Sequence, residues 1–304
     1  MSVEIFPAPR LPEWLAPLLP FRRQVIVAGG QAIHVIEHGD PRGRPVLLLH
    51  GNPTWGFLWR QVALLLGSDG LRLVMPDLPG LGYSSRPPAS FHSLERHGAV
   101  MAALYEALEL DGVVFVGQDW GGPIGLQGFL GNPRRLAGLV LANTVVGPPR
   151  RGFKPTTFHR LARLPIVSEL LFRGLGFPQR FSLGQVQGDP SSIRGVVARA
   201  YREPLRGLAN NAAPLALARM VPDGDAHPSV APLRRGEELV TSFRGPSALV
   251  WGERDPILGR VLHHLERLLP EATVTRTSAG HFLQEEVPEA IAGAIRDVVG
   301  RLKS

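Results

Sequence analysis

Five short apolar runs, broken only by Arg72, constrain this chain more than any other feature: Val46 to Leu49, Leu71 to Met75, Val113 to Val116, Leu139 to Ala142 and Ala248 to Trp251. None alternates with polar residues, so each must be covered on both faces, the condition of a strand inside a parallel sheet. Segments with helical spacing separate them, notably Gly56 to Leu66, His92 to Leu108 and Gly122 to Leu130. Strands and helices in alternation build right-handed crossovers and a doubly wound α/β sheet. Near the amino end, Gln24 to Val27 and Ala32 to Glu37 alternate around Gly29-Gly30 and predict an antiparallel hairpin at a sheet edge. With Thr273 to Thr277 added, the expectation is a mostly parallel sheet of eight strands.

The alternation is interrupted once. Residues 145–246 hold no strand-like run, only amphipathic segments broken by proline and glycine: Phe158 to Leu164, Ser168 to Leu175, Ile193 to Tyr201 and Leu205 to Met220. This predicts a core of residues 1–144 and 247–304, with a helical cap of residues 145–246 inserted after the sixth strand. Such a cap covers the carboxyl ends of the strands, where open α/β sheets bind their ligands. Ile257 to Leu269 and Pro288 to Leu302 read as the closing helices.

The run at Val113 breaks into Gly117-Gln118-Asp119-Trp120-Gly121-Gly122. A strand, a sharp turn and a helix are expected there, with Asp119 at the apex. The centre of such an elbow sits at strained φ/ψ, and a Cβ on either flank would strike neighbouring backbone, hence the glycines. Most elbows of this form carry serine at the centre, but here it is a carboxylate. Ionised at neutral pH, it can attack an sp³ carbon and displace a leaving group without a general base, becoming an ester. Hydrolysing that ester needs an activated water, which neutral His281, in Ala279-Gly280-His281-Phe282, can supply as base. Asp255 is the favoured partner of its imidazole and Glu253 the rival, because Asp255 precedes Pro256 in the loop while Glu253 lies nearer the strand. The order nucleophile, acid, histidine is that of α/β-hydrolases. Backbone N–H groups of Trp120 and Asn52 are expected to face the ester oxygen as it gains charge.

Other features exclude function classes. The chain has no cysteine, which removes disulfides, thiol catalysis and cysteine metal sites. Its formal charge of +7 comes from arginines scattered over helical segments, with only Lys154 and Lys303 as lysines. That pattern reads as a solvated basic surface rather than a nucleic-acid interface. No run reaches the roughly 18 apolar residues of a membrane helix, and the first residues do not read as a secretory leader, so a cytoplasmic enzyme is expected. His263-His264 lack carboxylate or cysteine partners at ligand spacing, so no metal is expected. Asp77 to Ser84 is glycine-rich but has no Walker lysine and reads as a loop shaping the sheet rim. His50 reads as a buried structural residue. Phe153, Phe158, Phe172, Phe177 and Phe181 suggest an apolar cap face, of the kind that serves packing as readily as a pocket.

Four motifs, His50-Gly51-Asn52-Pro53-Thr54, Gly117 to Gly122, Arg254-Asp255-Pro256 and Gly280-His281-Phe282-Leu283-Gln284-Glu285, together resemble the haloalkane dehalogenase branch of the α/β-hydrolase superfamily. The likeness spans nearly the whole core and weakens in the cap. It implies the α/β-hydrolase fold and cofactor-free hydrolysis of small apolar haloalkanes to alcohol and halide. It also implies that the Trp120 indole and the Asn52 amide, both donors, clamp the departing halide. The plainer readings are a pocket-wall tryptophan and an asparagine bonding its own turn. One subgroup uses a second tryptophan from the cap, but Trp14, Trp55, Trp59, Trp120 and Trp251 all lie outside it. Another takes its acid just after strand six, which here reads Ala142-Asn143-Thr144. The resemblance is therefore to a third subgroup, which includes β-lactone decarboxylases of bacterial olefin biosynthesis with the same Asp, His, Asp, Asn and Trp. Leu217 to Pro222 falls where the family usually places an aromatic–proline pair near the halide. Here the pair is Leu217-Ala218, and no halide contact is expected from it. Epoxide hydrolysis needs acids, usually two cap tyrosines, and only Tyr201 is present. A binding module without catalysis would be expected to have lost a triad member, and none is lost.

Overall fold

The computed structural model describes residues 3–149, 157–180, 183–207 and 209–302. Phe153 and Phe181 of the expected cap face lie outside the described residues. Among these residues a single nine-stranded sheet runs in the order β1-β2-β3-β5-β4-β6-β7-β8-β9. The strands are β1 (Ile5–Pro7), β2 (Arg22–Ala28), β3 (Gln31–Gly39), β4 (Arg44–Leu49), β5 (Leu71–Pro76), β6 (Val113–Asp119), β7 (Leu136–Thr144), β8 (Ser247–Gly252) and β9 (Thr273–Thr277). From β5 to β9 every pairing is parallel.

The expected count of eight strands falls short by β1. It pairs antiparallel with β2 through Ile5↔Ile26, Phe6↔Val25 and Pro7↔Gln24. All three of its residues are exposed, so it buries no face and leaves no hydrophobic period to read. The hairpin β2–β3 is consequently not the edge; its inner strand joins β5 antiparallel.

The apolar runs divide as strict alternation requires. On β4, Leu47 and Leu49 join one core cluster with Met101, Leu104 and Ile124, whereas Val46 and Leu48 join another with Val62, Ile291 and Ile295. The first lies under helices α2 (Leu94–Ala107), α3 (Gly121–Phe129) and α8 (Leu262–Leu268), the second under α1 (Arg60–Leu66) and α9 (Pro288–Arg301). Each run is therefore covered on both faces, with helices on both sides. β4 is where the chain direction switches, since its two neighbours are β5 on one side and β6 on the other. The loops after β4 and β6 meet at that point, and they carry Asn52 and Asp119.

The segment after β7 contains α4 (Thr157–Arg163), a π-helical turn at Glu169–Gly174, α5 (Gly195–Arg202) and α6 (Ala212–Arg219). The expected segment Ser168 to Leu175 thus closes with wider turns than an α-helix, its Leu175 N–H reaching Leu170 O at 2.9 Å. Leu205 to Met220 is α-helical only from Ala212, after a 3-10 turn at Ala209–Asn211, because Gly207 at φ +93° sits in the left-handed region and ends any continuous helix. Helix α7 (Val230–Ser242), within the span expected of the cap, packs on α2 and α3. Two buried contacts bind α5 to the core. Trp55 Nε1 donates to Ala200 O at 3.1 Å, and the Tyr201 hydroxyl donates to Glu285, itself gripped by Arg60 at 2.5 and 2.7 Å.

Candidate active site

The β6 strand ends at Asp119 with φ +49°, a left-handed conformation that a residue with a Cβ adopts only when its surroundings impose it. They do so here by close approach. A Cβ at Gly117 would lie 2.7 Å from Gly122 Cα, and one at Gly121 would lie 2.1 Å from Leu49 O. Thr144 at the end of β7 donates from Oγ1 to Asp119 O at 2.6 Å, fixing the apex from the neighbouring strand.

The Asp119 carboxylate then meets groups from two other loops. Asn52 N donates to Oδ1 at 2.8 Å, and His281 Nε2 stands 3.6 Å from Oδ2. Burial alone would push its pKa up. The His281 partner and the backbone N–H groups of Trp120 and Asn52 outweigh that and hold the carboxyl below the usual range. The nucleophile candidate is thus ionised at neutral pH.

His281 is buried, and its Nδ1 lies 2.8 Å from Asp255 Oδ2. The Glu253 carboxylate instead lies toward Arg276 at 3.7 Å and is exposed. Burial would lower the imidazole, but the charges of Asp255 and Asp119 prevail and push it up to about 10. Beside an ionised Asp119, His281 therefore favours its protonated form. Gln118 Nε2 donates to His281 O at 3.1 Å and steadies its loop.

Asn143 is a residue the sequence reading passed over, noting only that it is not a carboxylate. It sits buried at φ +37°, next to the last residue of β7, its Nδ2 donating to Asp255 Oδ2 at 3.0 Å and to Gly280 O at 2.9 Å. Its Oδ1 accepts from Gly252 N at 2.8 Å, so one side chain ties together the loops that carry Asp255 and His281. Gly51 is a second such residue, since a Cβ there would lie 2.3 Å from Asp119 Oδ1. His159, on α4, is a third. Burial lowers it to about 4 while the Asp119 charge opposes that shift, so it is neutral and within electrostatic reach of the nucleophile.

The two expected halide donors differ in their surroundings. Trp120 is nearly buried within the apolar cluster that also contains Leu205, Ala213, Leu217 and Met220 of the cap span. Asn52 Nδ2 donates to Pro214 O of α6 at 3.0 Å, and its Oδ1 is buried without a hydrogen-bond partner among the described residues. The contact to Asn52 from α6 is therefore Pro214, ahead of the Leu217-Ala218 pair in the chain.

His50 is wholly buried. It receives the Leu78 N–H on Nε2 at 2.9 Å, and Nδ1 lies 2.9 Å from Gly51 O, so it braces two loops. Asp77 accepts from Gly56 N at 2.7 Å and Tyr83 N at 2.7 Å, the loop-shaping role expected of its segment. His263 and His264 do have carboxylate partners, Glu266 at 3.2 Å and Glu237 at 2.7 Å, but different ones. No group of three or more metal-ligating side chains occurs among the described residues, and no described helix is long and apolar enough to cross a membrane.

Residues 44–288 match the family model for the alpha/beta hydrolase fold. Haloalkane dehalogenase 2 of Mycobacterium tuberculosis is 31% identical over 99% of this chain and 100% of its own length. A haloalkane dehalogenase of Mycobacterium marinum is 32% identical over 86% of this chain and 87% of its own. Among solved structures, the haloalkane dehalogenase DatA from Agrobacterium tumefaciens superposes with a TM-score of 0.81 at 26% identity, covering 99% of this chain and 97% of that one.

Proposed function

The chain belongs to the haloalkane dehalogenases of the α/β-hydrolase family, enzymes that hydrolyse carbon–halide bonds, and we propose that it works through an alkyl ester on Asp119. The observation that carries this reading is the Asp119 carboxylate itself, ionised, with Oδ1 held by Asn52 N at 2.8 Å and Oδ2 facing His281. Oδ2 attacks the carbon of a small apolar haloalkane, and the carbon–halogen electron pair leaves with the halide. The Trp120 indole and the Asn52 amide hydrogen not given to Pro214 are the donors assigned to that anion.

The electrostatics supply the second step. Esterification removes the Asp119 charge, one of the two that hold His281 near 10, so the imidazolium loses its proton and becomes a base. Water then gives a proton to His281 Nε2 as its oxygen attacks Asp119 Cγ, and the oxyanion faces the N–H groups of Asn52 and Trp120. Collapse releases the alcohol, which takes its proton back from His281. The proton left on the Asp119 carboxyl passes to His281, which restores the carboxylate and the imidazolium, with a net release of one proton and one halide. Asp255 holds the ring orientation throughout.

Epoxide hydrolysis is disfavoured because the Tyr201 hydroxyl is engaged by Glu285. Incubation with 1,2-dibromoethane and 1-bromobutane is expected to release bromide, and Asp119→Asn none. Release no greater than that of Asp119→Asn, together with alkene from a long-chain cis-β-lactone, would move the assignment to lactone decarboxylation. His281→Phe is expected to stop after alkylation, visible as a covalent adduct in the intact mass. An unmodified mass from a protein that still releases halide would sink the ester mechanism.

A further inference from the structure

A cavity of about 400 Å³ in the segment after β7 is lined, among the described residues, by Arg180, Arg199, Arg202, Arg206 and Glu203. Four arginines and a single acid, Glu203, form its described walls, and the Glu203 carboxylate lies 3.3 Å from Arg206. Neutral groups hold the others. The Arg199 guanidinium stacks 3.9 Å from the centre of the Trp14 ring, and Arg202 Nε donates to Ala198 O at 3.1 Å. Arg180 lies against Gly176, where a Cβ would sit 3.0 Å from its Cδ.

A second cavity of about 360 Å³ shares Glu203 and adds Arg10 and Arg86. Arg86 donates to the Gly82 and Pro204 carbonyls and to Asn210, yet its Nη1 is buried without a hydrogen-bond partner among the described residues. Like charges gathered around one acid repel each other, and their remaining N–H donors are set in the fork geometry that matches phosphate oxygens. Hydrolysis of a neutral apolar substrate uses none of this, and neither cavity is lined by Asp119, His281, Asp255, Asn52 or Trp120.

We propose that the arginine-lined cavity binds a phosphate-bearing anion of at least two negative charges, at a site distinct from the hydrolytic centre. Two sources share that chemistry: a soluble di- or triphosphate, or the headgroups of an anionic lipid surface. The second draws on a neighbouring feature, the exposed side chains of Leu164, Ile166, Val167, Leu170 and Leu175, which precede Arg180 in the chain.

Isothermal titration of the full chain with inorganic pyrophosphate, and co-sedimentation with phosphatidylglycerol or phosphatidylcholine vesicles, separate the sources. The double variant Arg180→Gln/Arg206→Gln serves as control, its fold checked by circular dichroism and its bromide release expected to be unchanged. Saturable pyrophosphate binding, weakened at least about tenfold in the variant and by added salt, supports the site. Sedimentation with phosphatidylglycerol alone, lost in the variant, assigns the anion to lipid; pyrophosphate binding without sedimentation assigns it to a soluble phosphate. No saturable binding in either arm, or binding undiminished in the variant, overturns the proposal.

Discussion

A methyl group on Gly51 would lie 2.3 Å from Asp119 Oδ1, closer than the atoms can approach, and it would displace the Asn52 N–H that meets the same oxygen at 2.8 Å. Gly51→Ala is therefore expected to lower halide release by at least about 100-fold, comparable to losing an oxyanion donor, with little change in unfolding midpoint. Steady-state bromide release beside a urea titration checks both halves. Asn143 acts one step further out. Its removal leaves Asp255 without one charge-assisted hydrogen bond and frees the Gly280 and Gly252 backbone groups. Hydrogen bonds to charged groups contribute about 1.5–3 kcal/mol, so Asn143→Ala is expected to lower kcat about 10- to 100-fold. Because Asn143 works through His281, the same variant should move the acid limb of kcat against pH, which a purely structural loss would not do.

Among elements, α5 depends on a buried ionic latch. Arg60 and Glu285 have side-chain exposures of 9% and 1%, and the Tyr201 hydroxyl is the contribution of α5 to the same carboxylate. Tyr201→Phe removes one donor from a charge that keeps Arg60, a loss of about 1–3 kcal/mol in urea unfolding. Arg60→Met strands the carboxylate itself and is expected to cost about 3–5 kcal/mol. Equal effects of the two would show that Glu285 does not carry its charge. The sequence offered Tyr201 only as a lone cap tyrosine, and nothing in its neighbourhood along the chain names a partner 84 residues away.

Across the whole molecule, buried histidines set the acid limit of stability. His92 and His97 share a 3.0 Å hydrogen bond, and burial lowers them from 6.5 to about 4 and about 3. The unfolded chain takes up these protons from about pH 6.5 downward while the folded chain does not, so stability falls as the pH drops toward 4. His281 works in the opposite sense. Raised to about 10, it contributes stability below its ordinary 6.5 that is lost as pH rises through 10. The melting temperature should therefore peak near neutrality, and His92→Gln/His97→Gln should flatten the acid side alone. An acid limb unchanged in that variant would rule out the pair as its cause.

What the sequence determined by itself is what is encoded locally. Apolar runs without alternation require two covered faces, whatever the partners, so the parallel strands and their helices could be read residue by residue. The elbow was legible for the same reason: glycines at 117 and 121 beside Asp119 are a steric statement about one turn. Strand β1 was not, because three exposed residues carry no burial pattern. Which acid faces His281, where the Asn52 amide donates, what holds Tyr201 and how four arginines converge around Glu203 were decided only by the tertiary structure. Each is a meeting of residues remote along the chain, 162 positions apart for Asn52 and Pro214, and such distances are set by the packing of elements rather than by any local preference.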